Sequence, residues 1–127
     1  MQLRTVSLAT APTKILGEGS YGIVYLYNQR SPSKTQFAVK VSTDPKDKSI
    51  LRREQILHQR LYLTIPPQAR RYIVEPVNVK GKPAMYAMVY QKGFITLSNY
   101  MKHEMRMFKS EAKEILTQIR KAILSIW

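Results

Sequence analysis

The chain has 127 residues, of which 44 % are hydrophobic, and its 21 Lys and Arg against 8 Asp and Glu give a net charge of +13. This balance fits one globular domain with a modest core and excludes a disordered or fibrous chain. The absence of cysteine excludes a disulfide framework and a thiolate metal site, and His58 and His103 lack a metal-ligand spacing.

The first segment, residues 1–13, reads as an N-terminal extension without the apolar core of a signal peptide. No run reaches the about 18 apolar residues of a membrane span, so an intracellular protein, cytoplasmic or nuclear and with no membrane partner, is expected. Residues 14–27 read as two strands joined by a glycine turn, the second being the β-branched and aromatic run Ile23-Val24-Tyr25-Leu26-Tyr27. Asn28 to Lys34, with its Ser31-Pro32-Ser33, is a turn. Thr35 to Val41 is a third strand whose alternation sets Ala38 and Lys40 on one face and Phe37, Val39 and Val41 on the other.

A polar loop leads to a helix from about Asp47 to Leu61, capped by Asp47 or Ser49. Ile50, Glu54, Leu57 and Leu61 share one face of it, which puts a carboxylate inside an apolar stripe, where it needs a cationic partner. Tyr62 to Arg71 is irregular around Ile65-Pro66-Pro67. Tyr72 to Lys80 and Ala84 to Tyr90 read as two more strands across a Lys80-Gly81-Lys82-Pro83 turn. Helices are expected at Thr96 to Glu104 and at Ser110 to Ile126, the second with Ser110 as its cap.

The basic residues gather around Lys46, Lys48, Arg52, Arg53, Arg60, Arg70 and Arg71, either as a solvated face or as a docking surface for an anionic partner. Aromatic residues are not interleaved with them, which argues against nucleic acid.

The stretch Leu16-Gly17-Glu18-Gly19-Ser20-Tyr21-Gly22-Ile23-Val24, followed by Ala38-Val39-Lys40, resembles the ATP-binding half of the eukaryotic-type protein kinases. In a dinucleotide-binding fold a helix would follow the glycines and an acidic residue would lie about 20 positions on; here a strand follows, and the residue near that place is Lys40. The resemblance implies an α+β fold with a five-stranded antiparallel sheet and one regulatory helix, followed by two C-terminal helices. Residues 14–92 would be the small lobe, and 93–127 the hinge exit and first helices of an incomplete large lobe.

The resemblance also assigns roles. Gly17, Glu18, Gly19, Ser20, Tyr21 and Gly22 would lie over the phosphates of ATP, and Leu16 and Val24 would flank the adenine, with Ala38 beside it. Lys40 would grip the phosphates and pair with Glu54, the sole acidic residue between Asp47 and Glu75. Val89, Tyr90 and Gln91 would form the back of the pocket and the connector to adenine, Val89 before Met88. The pattern then departs: no HRDxxxxN and no DFG occurs, and no Asp follows Asp47. Catalytic residues and protein ligands for metal are thus absent, and Mg²⁺ would arrive only with the nucleotide.

The function expected is the ATP-binding part of a protein kinase, a transferase of phosphoryl groups to protein hydroxyls in its complete form but not competent as this chain alone. Its partners would be ATP and a protein substrate. One alternative is a stand-alone kinase-like regulator or decoy that binds a partner kinase. Another is a basic polyanion-binding module unrelated to kinases. The stripe Ile115, Ile119, Ala122, Ile123 and Ile126 also suggests self-association through residues 110–127.

Overall fold

The computed structural model describes residues 2–19, 22–91 and 117. Its strands are β1 (Thr5–Val6), β2 (Lys14–Gly19), β3 (Gly22–Asn28), β4 (Gln36–Val41), β5 (Pro76–Val79) and β6 (Lys82–Tyr90), and its helix is α1 (Lys48–Thr64). The strands form one sheet in the order β1-β5-β6-β4-β3-β2. β1 runs parallel to β5, and every other neighbouring pair is antiparallel.

This corrects the expected five-stranded antiparallel sheet with two C-terminal helices. Among the described residues the sheet has six strands and is mixed, and one α-helix, α1, packs on it. The helices expected at 96–104 and 110–126 lie outside the described residues. The sixth strand escaped the sequence because it is two residues long, too short to show alternation.

Residues ahead of Lys14 are tied to the sheet at β5, at the end of β3 and, through Thr13, at Leu26. Asn78 N–H donates to the Arg4 carbonyl at 2.8 Å and Lys80 N–H to the Val6 carbonyl at 2.9 Å. Further along, Arg30 N–H donates to the Ser7 carbonyl at 2.8 Å and Ala9 N–H to the Asn28 carbonyl at 2.9 Å. The segment therefore runs from the β5 edge to the end of β3. On the way it lays Val6 and Leu8 onto Phe37, Val39, Val77, Val79 and Ala87, the main apolar core.

The core occupies one face of the sheet because β4 alternates. Phe37 and Val39 are fully buried there. Their cross-strand partners Tyr27, Tyr25, Val89 and Ala87 stand on the same side, since directly opposed residues share a face. Lys40 and Ala38 are left on the other face, as the alternation predicts.

α1 packs towards that other face. Asp47 holds the cap position of α1, without a side-chain hydrogen bond, and the Asp44 carboxylate caps the 3-10 turn Pro45–Asp47 ahead of it, accepting from Lys46 N–H at 2.9 Å. The helix runs three residues past the expected end. Ile65 then turns extended ahead of Pro66 and Pro67, which lack the N–H a helix needs. Pro67–Tyr72 continues as a 3-10 helix. Ile65 and Ala69, with Leu61 and Ile73, form a small second cluster that anchors this end of α1.

The rotation of α1 differs from the one its apolar periodicity suggests. Ile50 and Leu57 are each 49 % exposed, whereas Gln55 is 1 % exposed. The cause is polar. The start of β6 presents the carbonyls of Pro83 and Met85 to the helix, and the Gln55 amide donates to them at 3.4 and 3.2 Å. Arg52 donates back to the Gln55 side-chain oxygen at 2.9 Å. Buried polar groups must find partners, and this requirement outweighs the apolar stripe.

Leu8→Ala is expected to cost about 2–4 kcal/mol in urea denaturation, because it empties a packed core position. Ile15→Ala, at a side chain 49 % exposed, should stay within about 0.5 kcal/mol. Equal costs would mean that residues 2–13 do not belong to the core.

Candidate functional site

Strand register assembles the site. Gly17 opposes Val24, Val24 opposes Lys40, Leu26 opposes Ala38, and Lys40 and Ala38 oppose Tyr86 and Met88. These residues therefore share the face turned away from the main core. The glycine hairpin folds over one end of it. Gly17, Glu18, Gly19, Gly22, Val24 and Lys40 line a cavity of about 260 Å³ there.

The glycines differ in what they require. A Cβ on Gly22 would run into the Val41 carbonyl, and its φ of 154° disfavours other residues. Nothing stands within 4 Å of where a Cβ would be at Gly17 or Gly19. Gly22 is thus needed by the fold, while the backbone at Gly17 and Gly19 borders open space.

The cation in the cavity is held from α1. Lys40 Nζ donates to both carboxylate oxygens of Glu54, each at 3.0 Å. Their side chains are 25 % and 45 % exposed. The expectation that Glu54 lies inside an apolar stripe is therefore corrected: the carboxylate is half in water. An ion pair this exposed contributes only about 0.2–1 kcal/mol. Its consequence is geometric, since it fixes where the ammonium stands.

One turn further along α1, His58 Nε2 lies 2.7 Å from the Val74 carbonyl and Nδ1 2.6 Å from the Tyr86 hydroxyl. The imidazole stands edge-on to the Tyr86 ring, with centroids 5.7 Å apart. Burial lowers the His58 pKa from its ordinary 6.5, against the opposing pull of the Val74 carbonyl and the Glu54 charge. Burial, with a smaller contribution from Glu54, pushes the Tyr86 hydroxyl well above its ordinary value. Both groups are neutral near pH 7.

The structure brings together Gly17, Glu18, Gly19, Gly22, Val24, Ala38, Lys40 and Glu54. Leu16 is half-buried at a bulge between Ile15 and Gly17 and has no register partner. Ser20 and Tyr21 lie outside the described residues. Val89 does not face Lys40: it opposes Phe37 and packs on the main core, so Met88 is the residue beside Ala38. Tyr90 ends β6 opposite Gln36, and Gln91 is exposed just past it.

Gln55, His58 and Tyr86 were not singled out by sequence. The signal for His58 was its spacing of four from Glu54, and that for Tyr86 its spacing of two from Met88.

A second, more apolar cleft of about 610 Å³ opens between α1 and the start of β6, lined by Leu51, Arg52, Gln55, Pro83 and Met85. Lys40 borders both cavities, but only the smaller one has the open glycine backbone. Among the described residues no cluster of His, Asp and Glu suits a metal ion, and no helix is long and apolar enough to cross a membrane. The Arg70 guanidinium lies 5.4 Å from the Tyr62 ring centre and donates to the Tyr62 carbonyl, so part of the basic cluster serves local structure. No protein-family model, curated protein or solved structure matches the chain.

Gly22→Ala should destabilise the fold by about 2 kcal/mol or more in thermal or urea unfolding, from the clash and the backbone strain. Gly17→Ala should cost under about 1 kcal/mol. The reverse order would refute this division between a structural and a ligand-facing glycine.

Proposed function

We propose that this chain is a nucleotide-binding module of the protein-kinase type, with ATP as its ligand. The observation that carries the proposal is the Lys40 ammonium, held at 3.0 Å by both Glu54 oxygens and bordering a cavity walled by Gly17, Gly19 and Gly22. Polyphosphate recognition calls for these parts: backbone able to approach oxygen atoms closely, and a positioned cation. Val24 and Ala38 stand beside Lys40 on the same face and offer an apolar place for a flat base.

Phosphoryl transfer to protein hydroxyls is proposed only for a protein that also supplies a group to position the hydroxyl and ligands for metal. Those 127 residues contain neither HRDxxxxN nor DFG. The module is expected to bind ATP without turning it over, because positioning and charge stabilisation at the transferring phosphoryl are then incomplete. Mg²⁺ enters with the nucleotide.

The test is ATP binding by calorimetry with the Lys40→Met variant beside the wild type. Loss of a charge-assisted bond to phosphate should weaken binding about 10–100-fold. Heparin binding, carried by net charge, should fall steeply with salt and change little in the variant. If both proteins bind ATP equally, or if ATP affinity follows salt as heparin does, the chain is a general polyanion binder instead.

A further inference from the structure

α1 is attached differently at its two ends. Its C-terminal end is anchored by the Leu61, Ile65, Ala69 and Ile73 cluster. From its first turn to its middle Ile50, Ile56 and Leu57 are exposed, so apolar packing through these residues does not hold Glu54 in place. Besides the Gln55 amide, which holds the Pro83 and Met85 carbonyls at the start of β6, two side-chain rungs join helix and sheet there. Lys40 and Tyr86 are direct cross-strand partners on the sheet, and Glu54 and His58 are one turn apart on the helix. The ion pair joins Lys40 to Glu54, and the hydrogen bond at 2.6 Å joins Tyr86 to His58.

The proton inventory of the second rung is constrained. The Val74 carbonyl can only accept, so His58 Nε2 carries the ring proton. Nδ1 is then the acceptor of the neutral ring, and the Tyr86 hydroxyl donates to it. A second ring proton would settle on Nδ1. The tyrosine oxygen would then accept from Nδ1–H, and its own proton would have to turn away from the nitrogen that accepts it. Tyr86 is buried at 4 % exposure, and its hydroxyl has His58 as its one recorded hydrogen-bond partner among the described residues.

We propose that His58 is the positioning residue of the nucleotide site and that its protonation unlatches α1, so that Glu54 leaves Lys40 and nucleotide affinity falls in mildly acidic solution. This rests on the nucleotide-binding proposal above. Among the described residues the titratable or charged side chains that bear on the ring are Glu54 from α1 itself, Tyr86 from β6, and Lys40 of β4 through Glu54. Glu54 favours the ring proton, but burial outweighs it. The folded chain therefore takes this proton less readily than the unfolded chain. The contribution of the clasp is complete above the ordinary histidine value of 6.5 and is lost as pH falls through the lowered one.

The experiment measures binding of the fluorescent nucleotide mant-ATP with Mg²⁺ to the full chain between about pH 5 and 8. The wild type should lose about tenfold in affinity as the pH falls from about 7.5 through the lowered His58 titration. His58→Gln keeps a donor for Val74 and an acceptor for Tyr86 but does not titrate. It should bind within about twofold of wild type near pH 7.5 and lose far less affinity on acidification. Protonation of the nucleotide itself affects both proteins and cancels in the comparison. Identical pH profiles would overturn the proposal.

Tyr86→Phe removes the hydroxyl and keeps the ring; it should bind about threefold more weakly near pH 7.5 with a shallower pH profile. A Tyr86→Phe protein that matches wild type in both respects would equally overturn the latch. Should mant-ATP fail to bind at any pH, the nucleotide proposal falls by itself. The latch is then judged on the Glu54 carboxyl ¹³C resonance of the chain alone. Movement in step with the His58 ring titration, abolished in His58→Gln, supports it; indifference to that titration overturns it.

Discussion

The position of α1 is set by hydrogen bonds and one ion pair, and the candidate site depends on that position. Gln55 fastens the helix to the backbone at the start of β6, His58 to Tyr86 and Val74, and Glu54 to Lys40. All three lie within two turns of the helix. Polar attachments of this kind are directional, unlike an apolar seam that tolerates sliding. They fix the rotation and height of α1, and through Glu54 they fix the Lys40 ammonium. Directional bonds are also more easily released as a set, since each weakens steeply with misalignment.

The two faces of the sheet divide the work. The face with Phe37, Val39, Val77 and Ala87 is sealed by Val6 and Leu8 and supplies the stability. The opposite face carries Val24, Ala38, Lys40, Tyr86 and Met88, on which the exposed Lys40–Glu54 pair adds little to stability. Strand alternation produces the division without further machinery, because neighbouring residues of β4 belong to opposite faces. A change at Lys40 is therefore expected to cost the fold little, whereas a change at Val39 removes a fully buried core side chain.

The hairpin of β2 and β3 adds a constraint of its own. Gly22 approaches the end of β4 so closely that no side chain fits against the Val41 carbonyl. Gly22 lines the same cavity as Lys40, and Gly17 and Gly19 keep bare backbone facing it. One glycine thus permits a close approach to β4, and the other two have open space beside their backbone.

Much of this was legible in the residues. The β-branched run of β3, the alternation of β4 and the glycine spacing located three strands and placed Ala38 and Lys40 together, because period and turn chemistry are local properties. Glu54 was legible as the one carboxylate in its region able to meet Lys40. The side of the sheet chosen by Val89 was not, since register in β6 depends on pairing with β4 and a slip of one residue exchanges the faces. Nor was the rotation of α1. Its apolar stripe pointed to Ile50 and Leu57, but the carbonyls of Pro83 and Met85 claimed Gln55. The parallel pairing of Thr5–Val6 with β5 and the clasp of His58 on Tyr86 likewise join segments more than 25 residues apart. Local pattern determined which elements form and which chemistry they carry; only the tertiary structure decided which faces meet, because unmet backbone carbonyls and buried side chains select their partners across the fold.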